Sequence, residues 1–138
     1  GSTSLLGTAL DDSWSSVTTI PGSMSFVFEG VSYTQFSVSS NGWLRLGSGI
    51  PTTSEATNSV TSTSNIPKIY GLWDDLSTGT NGGVSYVVTG SAPNRILKVQ
   101  WLVNAPFSTT SPINCTYQVW LYETTGVIEM RYGSMATA

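Results

Sequence analysis

Asp74 and Asp75, in "IYGLWDDLSTG" (residues 69–79), are the closest this sequence comes to a reaction centre. Adjacent acids can act as a catalytic pair, ligate a cation, or hold a turn by hydrogen bonds. Glycosidic cleavage needs two carboxylates across a cleft, one of them kept protonated. The remaining acids are Asp11, Asp12, Glu29, Glu55, Glu123 and Glu129. Most lie at turns (Glu29-Gly30, and Glu123 before Thr124-Thr125-Gly126), where carboxylates are ordinarily solvated. The chain has no histidine, which removes the usual general base, the Ser-His-Asp and Cys-His arrangements and most zinc sites. The one cysteine, Cys115, has no imidazole to activate it and no partner for an intrachain disulfide. It reads as a buried thiol at a strand start, and its sequon Asn114-Cys115-Thr116 is a pattern frequent by chance. The expectation is a protein that is not an enzyme.

Strand alternation sends the side chains of Asp74 and Asp75 to opposite faces. An acid at the end of a buried strand commonly accepts from the amides of the next turn, here Leu76 to Thr78. One of the pair is therefore expected to hold that turn while the other reaches solvent. The competing use is calcium, bound by Asp74 or Asp75 with carbonyls and Asp11 or Asp12. Calcium takes about six to eight oxygens, and no DxDxD-type spacing supplies them. No cofactor is expected, with calcium as the alternative.

The five indoles invite a second chemistry, stacking against sugar faces. Trp101 sits on the apolar side of "RILKVQWLV" and Trp73 follows an apolar run, so both are expected in the core. Trp43, just after a turn, and Trp14, in the polar "DDSWSS", are the surface candidates for a ligand, though a structural role is preferred for each.

These residues are carried by a chain of 138 residues, read as one domain spanning 1–138. Charged residues are only 9% but hydrophobic residues are 39%, enough apolar surface to offset the entropy of ordering. With a net charge of −3 and cations only at Arg45, Lys68, Arg95, Lys98 and Arg131, no basic stripe exists for nucleic acid. No apolar run reaches membrane-spanning length. The Ser/Thr-rich, Lys-poor composition fits an extracellular setting.

Helical periodicity is nearly absent and alternation pervades the chain. Met24, Phe26 and Phe28 share a face, as do Val84, Tyr86 and Val88, and Leu97, Val99, Trp101 and Val103. Nine strands are expected near 16–20, 23–29, 32–39, 43–47, 67–74, 84–89, 95–103, 116–123 and 127–132. The fold class is all-β: an antiparallel β-sandwich, jelly-roll-like or Greek-key, of about 8–10 strands with little or no helix. Around Asn41-Gly42, face matching favours a three-residue loop with Gly42 left-handed, setting Val38 opposite Leu44 and Phe36 opposite Leu46. Around Gly126, a three-residue loop pairs the Trp120 face with Met130 and a four-residue loop pairs the Leu121 face instead. Either way, one face of 117–122 is apolar beyond its partner's needs, as in a strand buried on both sides or one that meets a neighbour. The long polar stretch 47–67 reads as a sheet-crossing loop, although connections of this length are often functional.

Taken in order, "LGTALDD", "IPGSMSFVFEGVSYTQFSVSSNGWLRLG", "IPKIYGLWDDL", "GGVSYVVTGSAPNRILKVQW" and "YQVWLYETTGVIEMRYG" resemble a β-sandwich module of large secreted and surface bacterial proteins of Bacteroidota type. They are more loosely similar to the nidogen-type extracellular domain. The resemblance implies an extracellular, non-enzymatic adhesion, display or matrix role. It marks Tyr33, Asn41, Gly42, Trp73, Asp74, Asp75, Asn94, Arg95, Trp101, Glu123, Arg131 and Tyr132 as fold determinants, beside the turn residue Gly126. Similar modules continue past "RYG" into another small-residue, apolar strand, whereas here "SMATA" follows. A missing final strand would leave a sheet edge free.

The expected function is thus a structural or adhesive module. It would bind other chains or copies of itself through a sheet edge or the apolar face of 117–122. The alternative is a carbohydrate-binding module that takes glycans with Trp14, Trp43 and the 47–67 loop.

Overall fold

Short runs of alternating residues bounded by Gly, Pro and Asn become strands almost throughout. The computed structural model describes residues 1–105 and 113–137. The strands are β1 (Thr3–Leu6), β2 (Thr18–Thr19), β3 (Phe26–Phe28), β4 (Val31–Tyr33), β5 (Gln35–Val38), β6 (Trp43–Leu46), β7 (Lys68–Tyr70), β8 (Gly83–Thr89), β9 (Ile96–Ala105), β10 (Ile113–Tyr122) and β11 (Ile128–Thr137). The described helix is a single 3-10 turn, Pro21–Ser23. Two elements were not expected. β1 is too short to show alternation, and the 32–39 run divides into β4 and β5. At Thr34 the chain leaves its hairpin partner β3, and the Thr34 carbonyl accepts from the Ile20 amide instead.

The strands form an antiparallel β-sandwich. One sheet has the order β1-β8-β9-β10-β11, the facing sheet β2-β5-β6-β7, and β3-β4 is a separate hairpin. Leu97, Val99, Trp101 and Val103 of β9 and Cys115, Tyr117, Val119 and Leu121 of β10 turn inward. They meet Phe36, Val38, Leu44, Leu46 and Ile69 of the second sheet in one core. Each such side chain contributes about 1.5–3 kcal/mol on full burial, so the alternation itself supplies the drive to close the sandwich.

The first hairpin has the register that face matching predicts, and the structure decides between the two loops left open at the second. Phe36 lies opposite Leu46 and Val38 opposite Leu44, with Gly42 at φ +92. At the second hairpin Leu121 lies opposite Ile128 and Val119 opposite Met130, so residues 123–126 form the loop and the Leu121 face is the one paired. Gly126 is left-handed here, at φ +68. The surplus apolar face of 117–122, with Trp120 and Tyr122, is the outer face of the larger sheet, opposite the core-facing Tyr117, Val119 and Leu121. On that outer face Trp120 is half-buried, with the Lys98 ammonium 3.8 Å and the Arg131 guanidinium 3.7 Å from its ring centroid.

The two sheets are pinned at one end by aromatic side chains that cross the core. Trp101 and Tyr117 stack with centroids 5.1 Å apart. The Trp101 indole Nε1 donates to the Ser39 carbonyl at 2.9 Å, and the Tyr117 hydroxyl reaches the Gly42 and Leu72 carbonyls at 3.0 and 3.1 Å. Burial pushes the Tyr117 phenol well above its ordinary range, with Tyr132 and Cys115 adding to it, so it stays protonated as a donor. Gly42 must be glycine twice over. Its φ is left-handed, and a Cβ there would lie 1.7 Å from the Leu72 carbonyl oxygen.

Tyr117→Phe is expected to lower unfolding stability by about 1–2 kcal/mol, because two buried carbonyls lose their shared donor. Gly42→Ala should cost more than about 4 kcal/mol or prevent folding. Urea unfolding of both variants measures the difference.

Candidate functional site

Asn41 sits at the tip of the β5–β6 turn with no exposed surface. Its side-chain Nδ2 donates to Asp12 Oδ1 at 2.9 Å and to the Ser54 carbonyl at 3.1 Å. Its Oδ1 accepts from the Leu76 amide at 2.9 Å. One buried amide thereby ties together the 11–12 segment, the 47–67 loop and the chain after Asp75. The result is an acidic corner in which carboxylate oxygens of Asp11, Asp12 and Asp75 lie within 4.8 Å of one another.

This arrangement corrects the expected role of the aspartate doublet. The amides of Leu76, Ser77 and Thr78 are taken by Asn41 Oδ1, the Asn104 carbonyl and the Leu10 carbonyl, not by Asp74 or Asp75. A conformationally stiff, buried amide and two bridging main chains reach those donors first. Asp74 is exposed, and its Oδ1 accepts only from the neighbouring Asp75 amide at 2.8 Å. It stands outside the carboxylate group, so of the acids considered for calcium (Asp74 or Asp75, with Asp11 or Asp12) the three that lie close together are Asp11, Asp12 and Asp75. Among the described residues, Asp75 keeps one buried oxygen, Oδ1, without a hydrogen-bond partner. Its carboxyl is raised above the ordinary value, first by desolvation and then by the charges of Asp11, Asp12 and Asp74. Asp11 is raised too, by desolvation and by Asp12.

The 47–67 loop is a strap, and the sugar-stacking position predicted at Trp43 lies beneath it. Trp43 is 0% exposed and donates from Nε1 to the Ser54 carbonyl at 3.2 Å, so its ring faces protein on all sides. The correction has a simple cause: a residue just after a turn is surface only if nothing folds back over it. Trp73, buried as expected, donates from Nε1 to the Glu55 carbonyl at 2.6 Å. The Lys68 ammonium lies 4.1 Å from the Trp73 ring centroid and 5.8 Å from that of Trp43. It also pairs with both Glu55 carboxylate oxygens at 2.8 Å, and Ser62 and Asn65 donate to the same group. Burial alone would raise the Glu55 carboxyl. The donors Lys68, Ser62 and Asn65 together with the Lys68 charge outweigh it and hold the group below its ordinary value. Nothing in the sequence signalled this pair, since the partners are separated by a polar loop without periodicity.

Trp14 remains at the surface, 38% exposed, beside Val17 and Ile50. Trp101 is fully buried, as expected. Cys115 is buried, as expected, and burial raises its thiol above the ordinary value.

Fold and site together define a β-sandwich module in which long loops are clamped over the sheets by buried polar side chains. The chain belongs to the NIDO-related family, whose model matches it over residues 1–138. No curated protein and no solved structure matches it.

Because folding raises the Asp75 and Asp11 carboxyls, each favours the folded state most at pH below its unfolded value and loses that contribution as pH rises through the folded value. Asp75→Asn is therefore expected to raise the melting temperature at pH 7 and leave it unchanged at pH 3. Calcium titration separates bare repulsion from ion binding: a bound ion raises the wild-type melting temperature, and Asp75→Asn abolishes that rise. Glu55 has the opposite sign, since its lowered carboxyl stabilises the fold above the unfolded value and is lost as pH falls through the folded one. Glu55→Ala should release the strap, detected as faster proteolytic cleavage within 56–64 at pH 7.

Proposed function

We propose that this domain is a non-enzymatic structural or adhesive module of an extracellular protein, acting through surface contacts and assembly. The family match over the whole chain carries this reading. The use of polar side chains supports it. Asn41, Glu55, Lys68, Arg95 and Glu123 hold the module's own turns and loops together. Arg95 donates to Glu123 from Nε at 2.7 Å and also reaches the Gly22 carbonyl, tying the start of β9 and the end of β10 to the 3-10 turn. A rigid, self-braced sandwich suits display and contact.

A second reading keeps the carbohydrate function and rests on Trp14. Its exposed ring, with Ile50, Val17, Ser15 and Ser16, borders a surface depression of about 290 Å³. An exposed indole beside small hydroxyls is a platform on which a sugar face can stack.

Antibody labelling of the parent protein on intact, unpermeabilised cells, or in the medium, tests the first reading. Signal only after permeabilisation would sink it. Glycan-array binding by the wild-type domain that disappears in Trp14→Ala would establish the second.

A further inference from the structure

A sandwich has four sheet edges, and here they differ greatly. β2 is two residues long, β7 three, and β1 four with a register shift between Ser4 and Leu6. Short or bulged edges such as these resist strand addition. β11 is ten residues long and, among the described residues, pairs only with β10. Residues Arg131 to Ala136 are all exposed, and Arg131 is their one charge. Tyr132 and Met135 are 56% and 44% exposed.

We propose that two copies of this chain join through the free edges of β11, pairing antiparallel about a two-fold axis between Gly133 and Ser134. The proposal deepens the assembly reading above and rests on it. An open edge recognises only another extended strand, and β11 of a second copy is the one described edge that matches its length. Its register follows from which residues share a face. Tyr132 lies opposite Tyr117 and Met135 opposite Cys115, two buried core-side residues, so both point to the core side. Gly133 and Ser134 together oppose Thr116, and this extra residue lets core-side positions fall three apart.

With the axis between Gly133 and Ser134, Tyr132 faces Met135 of the second copy and Arg131 faces Ala136. Core-side residues then meet core-side residues, and outer meet outer. Moving the axis onto Ser134 would set Tyr132 against Ala136 and mix the faces. The chosen register also gives two aromatic–thioether contacts and opposes no like charges. The dimer's strands would form one continuous antiparallel sheet. A contact of one strand edge is smaller than a standard interface, so association is weak and depends on concentration.

Sedimentation velocity across about a hundredfold range of concentration is expected to show the mass rising from 14.7 kDa toward twice that. Hydrogen exchange of amides 131–137 should slow in step. Ala136→Glu places a carboxylate opposite Arg131 and should tighten association several-fold, whereas Ala136→Lys should abolish it over the same range. Ala136 is exposed, so both variants should melt with the wild type. A wild-type monomer at every concentration overturns the proposal. So does association that leaves amides 131–137 unprotected, or that responds alike to Glu and Lys. None of these outcomes alters the cell-labelling result, so edge pairing and the module reading can fail separately.

Discussion

The buried amide of Asn41 is the constraint on which the rest of this end of the molecule depends. With no exposed surface, neither its two donors nor its acceptor can fall back on water. A buried amide left without partners costs about 1–3 kcal/mol for each group, so the three segments that satisfy it must come to it. Asp12, Ser54 and Leu76 are far apart in the chain and converge on this one side chain. The tight turn that holds Asn41 exists because Gly42 takes a left-handed conformation and leaves room for the Leu72 carbonyl and the Tyr117 hydroxyl. Turn, loop and strand end are therefore a single cooperative unit.

That unit accounts for both candidate sites. The acidic corner is a by-product of drawing Asp12 and the residues after Asp75 to one amide. Only Asp12 is held there by a side-chain donor, Asn41 Nδ2, so the neighbouring carboxylates raise one another. The 47–67 strap is held by the same amide at Ser54, and it then covers Trp43 and Trp73 with the Glu55–Lys68 pair. A buried ion pair is favourable only when its remaining hydrogen bonds are filled, and here Ser62, Asn65 and two indole rings fill the surroundings. The strap thus covers Trp43 and Lys68 on the smaller sheet and leaves the neighbouring Tyr70 exposed.

The larger sheet is finished differently. Its outer face carries a polar and aromatic surface in which Gln118 donates to Gln100 at 2.7 Å and Trp120 donates to Gln118 at 2.6 Å. Lys98 and Arg131 lie against the Trp120 ring. These cations occupy the space a stacking ligand would use. What the larger sheet leaves open is the backbone of β11, a directional surface that recognises strands and not small molecules.

Much of the fold was legible in the sequence. Period-two alternation named the inward residues of β8 and β9, because a pleated strand leaves a side chain only two faces. Face matching chose the three-residue loop at Gly42, and the absence of histidine by itself excluded the commonest catalytic constellations. The sequence was silent where contacts are long-range. The role of Asn41 beyond its turn, the partners of Glu55, the burial of Trp43 and the exclusion of Asp74 from the acidic corner each depend on segments tens of residues away. Composition also left the second hairpin's register open, since β10 is apolar on both faces. Local sequence determines which face a residue points to, because backbone geometry repeats. Only the tertiary structure decides what waits on that face, because closure brings together residues whose spacing carries no pattern.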